Sequence, residues 1–120
     1  MKIRTLLAAA VAAAALTVPG IASGALSDCG SNRMCLWGNN DFQWKIADRP
    51  HGSGTIVNLT GDADNQMDSW ANRSATYRGC GFGAAGGGGD RQYWERNSND
   101  NNVAPWNSDE VSSWRTMHGC

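Results

Sequence analysis

One short motif, the phrase, occurs twice in the sequence, and this repeat constrains the fold more than any other feature. The phrase is DNQMDSW at residues 64–70 and SDEVSSW at residues 108–114. Each copy follows a cysteine-led stretch, which is CLW from Cys35 and CGF from Cys80. The two cysteines are separated by 45 positions, and the tryptophans that end the phrases are separated by 44. Similar spacing at both ends predicts two structural units of nearly equal length.

The sequence between these landmarks is typical of short strands. Gly, Asn, Asp and Ser interrupt it every few residues, and no long stretch has apolar residues at helical spacing. Short apolar or aromatic runs lie between the interruptions, for example at residues 35–37, 55–57 and 92–94. This pattern predicts an all-β sandwich or barrel in which any helix is a single turn.

The first 25 residues predict a secretory signal peptide. Lys2 and Arg4 precede an apolar run at residues 6–18, and small residues follow Pro19. The run is shorter than the roughly 20 residues that a membrane-spanning helix needs. We therefore expect export, cleavage near Ala25, and a single domain at residues 26–120 that is located outside the cell.

Four cysteines follow the signal peptide: Cys29, Cys35, Cys80 and Cys120. An even number in a small exported domain indicates two disulfides. A zinc site is the competing interpretation, but the chain has no CxxC pair or histidine cluster. Three pairings are possible. One of them joins Cys29 to Cys35 across a short loop and leaves Cys80 with Cys120.

Charge and residue types exclude several classes of function. Lys2 and Arg4 account for two of the 10 basic residues, and 11 acidic residues oppose the rest. The lack of a basic patch argues against nucleic acid or an anionic membrane as a partner. His51 and His118 are the only histidines, and neither lies in a nucleophile motif. The sequence therefore predicts a monomeric protein that is not an enzyme.

The repeated phrase resembles the Asn/Asp-Asn/Asp-x-x-Ser/Thr-Ser signature that βγ-crystallin-type domains carry once per Greek-key unit. Residues 64–69 match it except at Asp68, and residues 108–113 match it except at Ser108. The resemblance implies a sandwich of two Greek-key units, at about residues 29–75 and 76–120. It also implies that the tryptophan after each phrase points into the shared core.

The hairpin of unit one also resembles that family. Residues 37–42 (WGNNDF) match its aromatic-x4-aromatic pattern, but Trp44 stands where the family usually has glycine. Unit two has no clean copy of this pattern, and residues 83–90 (GAAGGGGD) occupy the region. We expect these residues to form a flexible hairpin loop, because the Lys and Ser or Thr of a phosphate-binding loop do not follow.

By the same resemblance, the two phrases together imply a calcium site. Calcium prefers hard oxygen ligands in six- to eight-fold coordination. The implied ligands are side-chain oxygens of Asn65, Asp68, Asp109 and Ser112 and backbone carbonyls of Gln66 and Glu110. The alternative is that these residues only satisfy backbone groups where each unit turns back.

A narrower resemblance is to small exported inhibitors of the streptomycete metalloproteinase-inhibitor type. It is carried by Cys29, by residues 35–37, by residues 72–74 (NRS), by Cys80 and by residues 109–114. The resemblance implies a secreted inhibitor of metalloproteases whose partner is a thermolysin-like protease.

The candidate inhibitory loop is Gly79, Cys80, Gly81 and Phe82, because these residues adjoin an expected disulfide and include an aromatic side chain. The competing interpretation, which the sequence favours over the loop, makes Cys80 and Phe82 part of the first core strand of unit two. Two other functions remain open, namely a calcium-binding module without inhibitory activity and a carbohydrate-binding domain that uses surface tryptophans.

Overall fold

The computed structural model of the chain describes residues 25–120, so the predicted signal peptide lies outside the described residues except for Ala25. The strands are β1 (Arg33–Asn39), β2 (Gln43–Pro50), β3 (Val57–Asn58), β4 (Ser69–Asn72), β5 (Gly79–Phe82), β6 (Arg91–Trp94), β7 (Ser98–Asp100) and β8 (Ser113–Arg115). Three single 3₁₀ turns accompany them, at Leu26–Asp28, Gly61–Ala63 and Ala85–Gly87. Within the described range, no helix has the length and apolar character needed to cross a membrane.

The strands form two four-stranded antiparallel sheets. The first has the order β2-β1-β4-β7 and the second has the order β3-β8-β5-β6. Unit one contributes β1 to β4 and unit two contributes β5 to β8, but each unit lends its third strand to the other sheet. Thus β3 pairs with β8, and β7 pairs with β4. This exchange confirms the predicted all-β class and the two Greek-key units, and it means that neither sheet is complete without the other unit.

Three tryptophans fill the space between the sheets. Trp70 and Trp94 have ring centroids 5.8 Å apart, and Trp94 and Trp114 have centroids 6.0 Å apart. All three belong to one buried cluster, and each can bury on the order of 200 Å². Trp70 and Trp114 are the residues that end the two phrases, so the prediction that they enter the core is confirmed. Gly81 leaves room for Trp94, because a Cβ there would lie 2.5 Å from its Cζ2 atom.

Two disulfides are present, as the cysteine count predicted. Cys29 is joined to Cys35 across a separation of 6, and Cys80 is joined to Cys120 across a separation of 40. Cys35 alternates with core residues along β1 and therefore lies on the opposite face of its sheet, in a second buried cluster with Trp37. The disulfides thus tie Cys29, which precedes β1, and Cys120 to the strands that open the two units.

The structure corrects the candidate inhibitory loop. Gly79, Cys80, Gly81 and Phe82 form β5, a central strand bonded to β6 on one side and β8 on the other. Cys80 is 0% exposed and Phe82 is 3% exposed. A strand whose two edges are paired and whose side chains are buried cannot enter a protease cleft, so the core-strand interpretation is the correct one.

The NRS segment at residues 72–74 connects the two units. The Asn72 Nδ2 donates to the Tyr77 carbonyl at 2.9 Å and to the Trp94 carbonyl at 3.0 Å. The Ser74 Oγ accepts the backbone N–H of Tyr77 at 2.9 Å. Both side chains are buried, so they fix the crossover into unit two, whereas Arg73 between them is exposed.

Candidate functional site

The two phrases meet at one corner of the sandwich and contact each other reciprocally. The backbone N–H of Asn65 donates to the Val111 carbonyl at 3.0 Å, and the backbone N–H of Asp109 donates to the Met67 carbonyl at 3.1 Å. Asn65 and Asp109 hold the same position in their phrases, and both have φ of 58°. Because the contacts are reciprocal, each phrase fixes the backbone of the other.

The side chains at this corner pair in the same reciprocal way, but with different chemistry. The Ser112 Oγ donates to the Asn65 Oδ1 at 2.8 Å. The pair at the same two positions with the phrases exchanged is Asp68 and Asp109, which are both carboxylates. The Asp68 carboxylate also accepts a hydrogen bond from the Ser108 hydroxyl. The structure therefore brings the four predicted side chains together as two pairs, Asn65 with Ser112 and Asp68 with Asp109.

The pKa of Asp109 is raised above its ordinary value. Desolvation is the first cause, although the side chain stays largely exposed, and the negative charge of Asp68 is the second. A hydrogen bond with Asp68 and the charge of Glu110 act in the same direction. Two carboxylates this close favour a proton, or another cation, between them.

The phrases contain one polar atom that the sequence reasoning did not assign. The Oδ1 atom of Asp64, the first residue of the first phrase, is buried and has no hydrogen-bond partner among the described residues. Its place in the phrase was the only sequence signal that could have marked it. Within residues 25–120, no three His, Cys, Asp or Glu side chains cluster as a metal site. A cation at this corner would therefore also need amide, hydroxyl and carbonyl oxygens.

The hairpin between β1 and β2 is the second feature that the sequence singled out. Its backbone is left-handed at Asp41, Phe42 and Trp44, with φ of 58°, 56° and 63°. Ser69, the last serine of the first phrase, fixes the turn. Its hydroxyl donates to the Asn39 carbonyl at 2.7 Å and accepts the backbone N–H of Phe42 at 3.2 Å. The hairpin therefore keeps the folded geometry even though Trp44 is not glycine.

Unit two contains a folded copy of this hairpin, which corrects the expectation of a flexible loop. Gly86, Gly87 and Gly89 have φ of 71°, 86° and 75°, and each lies 45 positions after its counterpart in unit one. The hydroxyl of Ser113 donates to the Ala84 carbonyl at 2.7 Å and accepts the backbone N–H of Gly87 at 2.9 Å. The glycines are where the left-handed backbone of the hairpin requires them.

Trp44 is the residue that differs most between the two hairpins. A left-handed backbone costs about 1–2 kcal/mol for a residue with a Cβ, and a bulky side chain there is a rare outlier. The six-membered part of the indole lies directly on Gly38, because a Cβ at Gly38 would be 2.1 Å from the Trp44 Cε3 atom. The side chain is nevertheless 46% exposed. Trp44 is thus a fixed, strained and accessible aromatic residue.

Two other aromatic side chains are more exposed than Trp44. Tyr93 lies on the edge strand β6, and Trp106 lies in the turn that precedes the second phrase. The backbone N–H of Ser108 closes this turn by donating to the Ala104 carbonyl at 3.1 Å. Trp106 has an ordinary backbone conformation, so its exposure is not accompanied by the strain found at Trp44.

A comparison with protein families finds a match over the first unit. Residues 22–79 match the model described as peptidase inhibitor family I36, which confirms the predicted resemblance to peptidase inhibitors. The matched segment includes the unit-one hairpin and the first phrase, and it ends at the first residue of β5. No curated protein matches the chain.

Solved structures show the fold. A structure described under the evolution of the eye-lens βγ-crystallin domain fold has a TM-score of 0.60 at 14% identity, covering 82% of this chain and 96% of that one. A βγ-crystallin domain from Flavobacterium johnsoniae has a TM-score of 0.55 at 17% identity, covering 68% and 90%. The N-terminal domain of Protein S has a TM-score of 0.52 at 23% identity, covering 69% and 92%.

These likenesses confirm the βγ-crystallin-like fold that the repeated phrase implied. The family match in turn supports protease inhibition in general and indicates a protein that is not an enzyme. The chain is thus similar to peptidase inhibitor family I36 over residues 22–79, on a fold of the βγ-crystallin type.

Proposed function

We propose that this chain is a secreted inhibitor of metalloproteases, with a thermolysin-like protease as its partner. The observation that carries the proposal is the match of residues 22–79 to a peptidase inhibitor family. Two disulfides suit an oxidising, extracellular location, and the sequence of the first 25 residues predicts a secretory signal peptide.

The frame of the molecule suits an inhibitor that binds without rearranging. The disulfides tie Cys29 to the inner strand β1 and Cys120 to the inner strand β5, and the exchange of β3 and β7 interlocks the two sheets. A surface that is already ordered loses little conformational entropy when it binds, and this raises affinity. Because β5 is buried, the contact surface has to be formed by exposed hairpins and loops.

Titration of the purified, oxidised protein into a thermolysin-type metalloprotease tests this function. We expect activity to fall in proportion to the inhibitor added and to reach its minimum at one inhibitor per protease. The same titration into a serine protease is the matched control and should leave its activity unchanged. Full metalloprotease activity at micromolar excess would contradict the proposal. Sedimentation of the free protein should give the mass of a monomer.

Calcium binding at the corner is a second, compatible proposal, favoured by the paired carboxylates of Asp68 and Asp109. The ligand set proposed is Asn65, Gln66, Asp68, Asp109, Glu110 and Ser112. Among the described residues, the backbone carbonyls of Gln66 and Glu110 accept no backbone hydrogen bond and are free to coordinate. A divalent cation between the two carboxylates would offset their repulsion.

Calorimetric titration of the isolated protein with calcium tests this second proposal without a protease. Binding at one or two sites with a rise in melting temperature is expected, since a ligand that binds only the folded state stabilises it. The Asp68→Asn variant should bind more weakly. Identical heats and melting temperatures with and without millimolar calcium would contradict the proposal and leave these residues as corner caps.

A further inference from the structure

The internal repeat provides a control for every residue of the unit-one hairpin. Positions 41, 42 and 44 correspond to Gly86, Gly87 and Gly89 by spacing, by φ and by the serine that anchors each turn. The backbone at position 44 is therefore one that glycine adopts without strain. Folding does not require an indole there, because the copy in unit two folds without a side chain at Gly89.

The surroundings of Trp44 show that the indole is held in place and not merely tolerated. One ring face packs on Gly38, where even a methyl group would collide with it. In unit two, a Cβ at the equivalent Gly83 would meet only backbone atoms, at 3.3 Å or more. Glycine at position 38 thus admits the Trp44 ring, while almost half of the side chain remains accessible to solvent.

The hairpin that carries Trp44 is braced on both sides. On one side, the backbone N–H of Asp41 donates to the Asn101 carbonyl at 2.7 Å, and the Asn101 Nδ2 donates to the Asp41 carboxylate at 3.1 Å. On the other side, the Lys45 ammonium donates to the Asp28 carbonyl at 3.0 Å and to the Asp48 carboxylate at 2.8 Å. The position of the indole is fixed before any partner arrives.

We propose that Trp44 is the anchor through which this protein contacts its protease partner, with the exposed part of the indole inserted into an apolar subsite of the cleft. The inference rests on the proposed inhibitory function. Strained residues persist where function selects them, and buried aromatic anchors in apolar pockets dominate binding energy at protein interfaces. Trp44 also lies within residues 22–79, the segment that matches a peptidase inhibitor family.

Trp106 is the matched comparison residue. It is also an exposed tryptophan, at 76%, but it lies outside the matched segment and its backbone is not strained. If exposure alone made a tryptophan a protease contact, Trp106 would qualify before Trp44. The difference between the two residues is therefore what the experiment has to measure.

The test compares inhibition constants against a thermolysin-type metalloprotease for the full oxidised protein and three variants. Trp44→Gly reproduces the residue at Gly89, and Trp44→Asn keeps a side chain that tolerates left-handed backbone. Both should weaken inhibition by roughly 30-fold or more, as expected for a binding hot spot, with melting temperatures close to that of the unmodified protein. Trp106→Ala should leave the inhibition constant within about threefold.

Each outcome decides the proposal. Unchanged inhibition by either folded Trp44 variant overturns the role of Trp44 but leaves the inhibitory function intact. An equal loss in Trp106→Ala overturns it as well, since the effect would then follow exposed aromatic area and not this hairpin. No inhibition by the unmodified protein overturns both proposals. Trp44-dependent binding to a polysaccharide without inhibition would assign the surface to sugars and also overturn them.

Discussion

The two hairpins share one backbone conformation but present different side chains. Ser69 and Ser113 make the same pair of hydrogen bonds in their respective units, and the left-handed positions coincide. Unit two meets the left-handed requirement with glycines, whereas unit one meets it with Asp41, Phe42 and Trp44. The anchoring serine and the backbone therefore define the hairpin, and the side chains at its tip are free to take on a separate role.

The hairpin of unit two lacks the side chains that its counterpart in unit one carries, and neighbouring segments fill the space that they would occupy. In unit one, the Phe42 ring covers Trp37 edge to face, with centroids 5.0 Å apart. In unit two, a Cβ at Gly87 would lie 2.6 Å from the Ile56 Cδ1 atom, so the connection before β3 fills that space. The guanidinium of Arg115 lies 5.7 Å from the centroid of the Phe82 ring. The outer faces of the two sheets are thus covered by different side chains, by Phe42 in unit one and by Ile56 and Arg115 in unit two.

The largest difference between the units should appear when their disulfides are removed. The chain-entropy argument assigns about 4 kcal/mol to a loop of the Cys80–Cys120 size and about 2 kcal/mol to one of the Cys29–Cys35 size. The double alanine variants should lose unfolding free energy in that order in urea titrations of the oxidised protein. A larger loss from the Cys29–Cys35 variant would show that loop size does not govern the contribution of these bridges.

Substitutions within the glycine-rich hairpin should separate positions that need glycine from those that only prefer it. Gly89→Ala should destabilise by at least about 1–2 kcal/mol, because the new Cβ would also lie 2.9 Å from the Ala84 backbone nitrogen. Gly86→Asn should cost little, since nothing lies within 4 Å of its Cβ position and Asp41 occupies the matching site. Equal melting temperatures for both variants would mean that this loop does not have the folded geometry of the unit-one hairpin.

The corner carboxylates should make the stability of the metal-free protein depend on pH. The pKa of Asp109 is raised from 3.8, so the folded state holds its proton more tightly than the unfolded state. In metal-free buffer, stability should therefore fall as pH rises from about that value through the raised pKa. Asp109→Asn, which copies Asn65, should flatten this fall. A fall of equal size in the variant would assign it to other groups.

The smallest effect on stability should come from removing surface ion pairs, which occur in both units. Burial alone would raise the pKa of Asp48, but hydrogen bonds from Lys45 and Arg33 lower it overall. Its contribution to stability should be present above about pH 3.8 and be lost as pH falls through the lowered pKa. Asp48→Asn should remove less than about 1 kcal/mol at pH 7.

The matched control for Asp48 is Glu95, which pairs with Arg78 at 2.9 Å in unit two. Both of these side chains are more than half exposed, so Glu95→Gln should have the weaker effect. A stability loss for Glu95→Gln that equals or exceeds that of Asp48→Asn, measured by thermal unfolding at pH 7, would contradict this ranking.

The sequence was sufficient to predict the two units, the all-β class and the core positions of Trp70 and Trp114. These features depend on spacing and on the apolar character of a few residues, which are visible without coordinates. The signature at the corners also identified which side chains would meet there, because both phrases share one geometry in the fold they resemble.

The sequence left two interpretations of β5 open, and it was a poor guide to the second hairpin. The GCGF run at Gly79–Phe82 has no alternation of polar and apolar residues that would show burial on both faces, and its central position depends on pairing with β6 and β8. The run of glycines hid the second hairpin, because glycine supplies a left-handed backbone but no side-chain pattern. The strain at Trp44 became visible only from its φ and its contact with Gly38.

Hydrogen–deuterium exchange on the protein in complex with a thermolysin-type metalloprotease can locate the contact surface, because it compares the two hairpins within one molecule. We expect added protection at residues 39–45 on binding and no change at residues 84–90. Protection confined to residues 84–90, or to neither hairpin, would contradict the claim that unit one carries the contact surface.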